Sequence, residues 1–499
     1  MTAPESNAVV LGVDSSTQSC KVEIRELTTG RLLASGAAPH PPAFPPCSEQ
    51  HPAAWVQALI SATRAALTRC ARRPVVEAIS VAAQCHGLVL LDADGVPLRA
   101  AKLWNDTTGA PQLGALVARI GAERWTRRVG SLPTAAFTIA KLAWVAEREP
   151  DVLDRAATML LPHDYLTYWL TGMRVTDRSE ASGTGYFDAA AGEWVTDYLD
   201  LAAGRRDWAA MLPTVLGPSR PAGYLRPAAA EALGLGIDTL VGPGGGDQHA
   251  AYLGLGLRDG DQYIGIGTSG VVATSCRTPV YDPTGMVDGV ADLTGGYLPL
   301  VSTLNAARVG DVAARLLGTD LTGLAQLALA AGTTRGPVLV PFLDGERKPD
   351  RPAARGAFAD LTSHTSREEV ARAFLEGPLL SLMNARDHLR ACGVDLSGAP
   401  TAVGGGTRSK ATLQLLADLL DDEVTVLDAD EATARGACVQ AAAIATGADV
   451  AGLIDLAEKW TPDVRQRVSP RNTGRDLSAL RARWAQLAES AVLDSGVPA

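Results

Sequence analysis

Asp247 follows three consecutive glycines, Gly244-Gly245-Gly246, and opens a run, Gln248-His249-Ala250-Ala251-Tyr252-Leu253, that reads as helical. Glycine lets ligand and backbone approach closely, and a helix amino terminus favours an ionised carboxylate. A carboxylate so placed is either an ordinary N-cap or a base that takes a proton from an attacking hydroxyl. Asp14 ends an apolar run, Val9-Val10-Leu11-Gly12-Val13, and precedes Ser15-Ser16-Thr17-Gln18-Ser19. It reads as a turn cap, or as a ligand for Mg2+ beside a polyphosphate. Lys21 offers a cation to phosphate from the return strand, or is a solvated strand charge. A second Gly/Ser/Thr turn, Gly267-Thr268-Ser269-Gly270, is framed by Tyr263-Ile264-Gly265-Ile266 and Val271-Val272-Ala273-Thr274. Such turns present backbone N–H groups and hydroxyls that suit phosphate oxygens. One is usually no more than a hairpin. Two of one design, each opening a long half of the chain, point to a duplicated fold gripping a polyphosphate from both sides, and so to an ATP-dependent enzyme.

Those turns need strands on either side and helices between them. Val76–Ala82, Leu88–Asp92 and Thr158–Leu161 read as strands, while Trp55–Cys70 and Tyr165–Leu170 carry helical spacing. A third glycine turn, Val403-Gly404-Gly405-Gly406-Thr407-Arg408-Ser409, leads into a helix from about Ala411 to Leu420. Its surface, free of side chains, suits a base or ribose. The fold class is α/β, with mixed sheets because hairpins occur in both halves. At 499 residues the chain exceeds the roughly 250–300 residues of one core, so two domains are expected, 1–247 and 248–499. Pro41-Pro42-Ala43-Phe44-Pro45-Pro46 reads as a surface loop.

A net charge of −10 and the lack of a Lys/Arg stripe argue against nucleic-acid binding. The seven cysteines are scattered with no C-x-x-C spacing, which excludes the usual zinc patterns and fits a reducing cytoplasm. Met1–Asn7 lacks a basic n-region and h-region, and the apolar strand after it is too short to span a membrane.

The order of the motifs resembles the FGGY family of carbohydrate kinases, closest to its xylulokinase branch, over nearly the whole chain. Asp14 to Lys21 resembles the family's first phosphate hairpin, and Glu49-Gln50-His51-Pro52-Ala53-Ala54-Trp55 its E-Q-x-P-x-x-W segment. Gln84-Cys85-His86-Gly87 and Leu103-Trp104-Asn105-Asp106 are similar to the sugar-site stretches. Phe137–Trp144 resembles the first family signature, and Asp177–Thr184 also matches. Gly244–Asp247 resembles the segment bearing the catalytic base, Gly267–Gly270 the second phosphate turn, Gly345-Glu346-Arg347-Lys348-Pro349 the G-E-R-T-P loop, and Arg355 through Gly377 the second signature.

The resemblance implies two actin-like (ribonuclease H-like) ATPase domains flanking a deep cleft, sugar mainly on the first and ATP mainly on the second. Asp247 becomes the general base. Gln84, Cys85, His86, Trp104, Asn105 and Asp106 become sugar contacts. Ser16, Thr17, Gln18, Lys21, Gly267, Thr268 and Ser269 would hold phosphate, and Gly405, Gly406 and Ser409 would border adenine. Asp14 would serve Mg2+, and ATP and a ketopentose, foremost D-xylulose, are the expected small-molecule partners. Homodimer assembly is allowed. The alternatives are a kinase for another ketose or polyol, such as ribulose or glycerol, and a non-catalytic sugar- or nucleotide-binding regulator. Three departures stand out: Cys85 for the common Met, Asp360 for a frequent Gly, and Thr108 where W-N-D-x-R carries Arg. Loss of that Arg predicts a less polar sugar site with weaker discrimination among sugars.

Overall fold

The computed structural model describes residues 7–332 and 336–490. Residues 1–6, read above for targeting features, lie outside it. Among the described residues no helix is long and apolar enough to cross a membrane.

Each half is built on a seven-stranded mixed sheet. In the first, Ala8–Ser15 pairs antiparallel with Ser19–Glu26, which pairs antiparallel with Leu32–Pro39. On its other side Ala8–Ser15 runs parallel to Val75–Ala83. The second sheet repeats the plan. Gln262–Ile266 pairs antiparallel with Gly270–Ala273, which pairs antiparallel with Tyr297–Thr303, while Pro400–Val403 lies parallel on the far side. The parallel neighbour requires a crossover. In the first half this passes through the helix Pro52–Arg69, which buries Trp55, Leu59 and Ala62 against Leu11, Val13 and Val22. Its start is fixed by His51, whose ring accepts from the Ala53 N–H, and by Pro52 at the first helical position.

The predicted strands and helices fall close to their observed bounds: Val75–Ala83, Val89–Leu91, Thr158–Leu160, Pro52–Arg69 and Pro162–Thr171. The third glycine turn closes Pro400–Val403 and winds into one turn of 3-10 helix before Lys410–Leu420. Asp360 adopts φ +63°, a left-handed conformation that glycine takes most easily.

The halves meet on a small-residue helix. Ala432–Thr446 packs against Val10, Ala78 and Ala82 of the first sheet and against Ala250 and Leu253 of the helix Asp247–Gly254. Backbones touch here. A Cβ on Gly12 would lie 2.0 Å from the Ala434 carbonyl oxygen, and one on Gly436 would lie 1.8 Å from that of Ala250. Asp247, the first residue of that second helix, stands at the cleft end of this joint.

Candidate active site

Gly245–Gly246 adds a short strand beside Ala82 and Ala83, and Asp247 is the first residue of the following helix, with Gly246 as its cap. The carboxylate is therefore inside the helix rather than capping it. Its Oδ1 accepts from the Gln248 N–H at 2.7 Å and from the Cys85 thiol at 3.5 Å. Burial raises the Asp247 pKa, and these donors pull it back.

Asp14 sits opposite Lys21 on the first hairpin, nearly buried, and its Oδ1 has no hydrogen-bond partner. Burial and then the charge of Asp247 push its pKa up to about 8. An orphaned, buried carboxylate oxygen beside a second carboxylate fits a divalent cation, which would supply the missing charge. Lys21 does not reach freely toward the cleft: its ammonium sits 2.7 and 2.9 Å from the two carboxylate oxygens of Glu431. Ser16 closes its own turn by donating to the Ser19 carbonyl at 3.1 Å, and Gln18 lies exposed at the tip. The Thr17 hydroxyl accepts from Trp104 Nε1 at 2.9 Å and donates to Gln84 Oε1 at 3.3 Å. The first hairpin and the expected sugar segments are thereby tied together.

Asp247 opens into a cavity of about 260 Å³ between the halves. Thr17, Cys85, His86, Trp104 and Phe137 line one wall, and Ser269, Ser302, Arg347 and Lys348 the other. His86 takes φ +65°, which turns its ring onto Phe137, stacked at 4.8 Å. Its Nδ1 faces the Gly183 carbonyl at 2.7 Å and so carries the proton. Burial, with Lys141 nearby, drives the His86 pKa down to about 3, leaving a neutral ring with Nε2 as an acceptor. The Arg347 guanidinium lies over the Trp104 ring, 5.1 Å from its centroid, and donates to Ser302 Oγ at 3.3 Å. Among the described residues it forms no ion pair, whereas its neighbour Lys348 is held by Asp288 at 3.0 Å.

Three expected sugar contacts are absent from the cavity lining: Gln84, buried behind Thr17, and Asn105 and Asp106. Asp106 is fully buried behind the cavity, accepting from the Ser48 N–H at 2.9 Å, Lys102 Nζ at 3.1 Å and the Thr108 N–H at 3.1 Å. Asn105 is absent from the cavity lining, and its Oδ1 is buried without a partner. Thr108 corrects the expectation drawn from the missing Arg. Its hydroxyl is bonded to Asp106 at 2.5 Å and receives Lys102 Nζ at 2.8 Å, out of reach of the cavity. Lys102 already places a cation in that network, and Arg347, from the other half, brings charge to the sugar side.

A second cavity of about 710 Å³ lies wholly in the carboxy-terminal half. Ile266, Ala307, Leu321, Phe374 and Leu379 make it apolar, and Gly405, Gly406 and Ser409 form one wall. Gly404 needs its φ of +93°, since a Cβ there would lie 2.8 Å from the Ile266 carbonyl, whereas one on Gly405 would meet open space. The turn Gly267-Thr268-Ser269 runs between the cavities, with Ile266 lining this one and Ser269 the other. An extended triphosphate with its base among the apolar side chains would cross that turn toward Asp247.

Sequence reasoning assigned no role to Phe137, Ser302, Arg347 or Lys348. Phe137 and Arg347 lay in segments already matched to family motifs, but nothing in their spacing aimed them at one another.

Residues 9–254 match the N-terminal domain of the FGGY family of carbohydrate kinases, and residues 262–445 match its C-terminal domain. A xylulose kinase of Streptomyces coelicolor is 41% identical over 463 residues, 92% of each chain. A xylulose kinase of Haemophilus influenzae is 31% identical, spanning 86% of this chain and 90% of its own. The crystal structure of xylulose kinase from Bifidobacterium adolescentis superposes with a TM-score of 0.84 at 37% identity, covering 96% of this chain and 99% of that one. With both of its domains matched in order along the chain, the protein belongs to the FGGY family of carbohydrate kinases.

Proposed function

We propose that this kinase transfers the γ-phosphate of ATP to the terminal hydroxyl of D-xylulose, giving D-xylulose 5-phosphate, with Asp247 as general base. The observation that carries this reading is the position of Asp247, in the wall of a cavity whose opposite face is the Ser269 end of the second phosphate turn. The chemistry needs a carboxylate in reach of the hydroxyl and donors around the transferred phosphoryl group. Asp247 takes the hydroxyl proton as the oxygen attacks the γ-phosphorus in line and the bond to ADP breaks. Neutral His86 offers Nε2 to a sugar hydroxyl, and Arg347 donates to the sugar from the other wall. Backbone N–H groups and hydroxyls at Ser16, Thr17, Thr268 and Ser269 bind phosphate oxygens, and Gly405, Gly406 and Ser409 border adenine. Mg2+ held by Asp14 would neutralise charge on the β- and γ-phosphates.

The choice of D-xylulose is supported by relatives at 41% and 31% identity that carry the name xylulose kinase. A cytoplasmic setting is supported by seven cysteines that are all free thiols. The test is an ADP-coupled assay across D-xylulose, D-ribulose, L-ribulose, gluconate and glycerol, with the product identified by mass spectrometry. The highest kcat/KM is expected for D-xylulose. A higher value for any other sugar of the panel would overturn the assignment, and sugar binding with no sugar-dependent ADP formation across the panel would overturn the kinase mechanism.

A further inference from the structure

Three metal-ligating side chains converge beside Asp247 from three separate segments, and the phosphoryl-transfer mechanism uses none of them as a base or phosphate ligand. Cys85 follows the strand Val75–Ala83, Glu180 lies in the short helix Arg178–Ser182, and His249 is on the helix Asp247–Gly254. One ligand atom from each lies within 4.8 Å of the other two. They surround the point where Gly246 would carry a side chain: a Cβ there would be 2.6 Å from His249 Nδ1, 2.8 Å from Glu180 Oε1 and 2.9 Å from Cys85 Sγ. Glu180 and His249 are more than nine-tenths buried, and both oxygens of the one and both nitrogens of the other lack a hydrogen-bond partner. Four buried polar atoms left unpaired in one place are costly unless a ligand satisfies them.

We propose that Cys85, Glu180 and His249 bind one thiophilic divalent cation, Zn2+ or its like, distinct from any ion that accompanies ATP. Thiol, imidazole and carboxylate are the donors zinc takes, at ~2.0–2.3 Å from the metal, which sets tetrahedral ligand atoms roughly 3.3–3.8 Å apart; these three lie within 4.8 Å of one another. The soft sulfur and the imidazole favour this class over Mg2+, which prefers oxygen and water. A second cluster, Cys47, Glu49 and Asp106, does not have this character. Lys102 Nζ sits 3.2 Å from Glu49 and 3.1 Å from Asp106, so an ammonium already fills that position. Occupancy at Cys85 would remove the thiol that donates to Asp247 and fasten the base-bearing helix to the amino-terminal half. Inhibition by Zn2+ follows from both effects.

Untagged, full-length protein is dialysed against Zn2+ without nucleotide and its metal content measured; one equivalent is expected. Loading with Co2+ should give a thiolate-to-cobalt charge-transfer band that Cys85→Ser abolishes. Glu180→Gln and His249→Ala should each weaken Zn2+ binding by more than the ~10–100-fold that loss of an outer-shell contact costs, while Cys47→Ser leaves it unchanged. Folding of each variant is checked by circular dichroism. One measurement needs no variant: Zn2+ should protect Cys85 of the wild-type protein from maleimide, read by peptide mass spectrometry. Substoichiometric binding, a charge-transfer band that persists in Cys85→Ser, or Cys85 labelling unaffected by saturating Zn2+ would overturn the proposal.

Discussion

Replacing Arg347 by Ala removes a guanidinium that crosses the cleft from the carboxy-terminal half and lies over Trp104. Its single side-chain hydrogen bond among the described residues goes to Ser302 Oγ at 3.3 Å, and it lines the cavity with further donors to offer. The stacking on Trp104 exists before sugar arrives and cancels between free and bound states. What the variant loses is a charge-assisted hydrogen bond to a sugar hydroxyl, worth about 1.5–3 kcal/mol. That corresponds to a fall of roughly 10- to 150-fold in kcat/KM for the sugar. The KM for ATP should hold, because the apolar cavity beyond the Gly267–Ser269 turn contains no part of Arg347. Arg347→Lys should recover part of the loss, since it keeps the charge without the planar fork. Steady-state kinetics with each substrate varied in turn, on protein of unchanged circular dichroism, provide the measurement. Wild-type kcat/KM for the sugar in Arg347→Ala would refute the role assigned to this residue.

Gly405→Leu should raise the KM for ATP by on the order of 10-fold or more while sparing the fold, because its side chain enters the open 710 Å³ cavity. Gly404→Ala, forced to φ +93°, should instead lower stability by about 1–3 kcal/mol, read as the thermal midpoint. Thr108→Val should lower stability by about 1–3 kcal/mol by stripping a hydroxyl from buried Asp106, with the ranking of sugars unchanged; an altered ranking would restore Thr108 to the sugar site. For Asp14 the folded pKa is raised from 3.8 to about 8, so between those values the folded state keeps a proton that the unfolded chain has released. Its contribution to stability is present below pH 3.8 and is lost as pH rises toward 8, by up to about 1.4 kcal/mol per pH unit. Thermal midpoints between pH 5 and 8 should therefore fall more steeply for the ligand-free wild type than for Asp14→Asn; parallel curves would contradict the raised pKa.

The hairpins were legible because β-branched runs flank turns whose residues serve little else, and the same local chemistry marked Asp247. Segment order then carried the two-domain plan. What escaped the sequence is tertiary. Lys21 reads as a free cation on its strand, yet its partner, Glu431, is 410 residues away. Asp106 stands in a polar motif that suggests a sugar contact, but Lys102 and Ser48 draw it inward. Thr108 reads as a gap in the sugar site only while Lys102 is out of view. Arg347 and Trp104 meet across the cleft, and no spacing in either segment encodes that meeting. The joint at Ala432–Thr446 was missed because a run of Ala and Gly looks like any helix until a second backbone is laid against it.

The central claim is that Asp247 takes the proton of the attacking hydroxyl, and Asp247→Asn tests it most directly. The amide oxygen can keep accepting from the Gln248 N–H and the Cys85 thiol, so the fold and the binding of sugar and ATP, followed by calorimetry, should survive. The measured quantity is kcat at saturating ATP and D-xylulose. Loss of a general base predicts a fall on the order of 10²–10⁴, with binding preserved. A folded Asn variant that binds both substrates and turns over at the wild-type rate would contradict the mechanism.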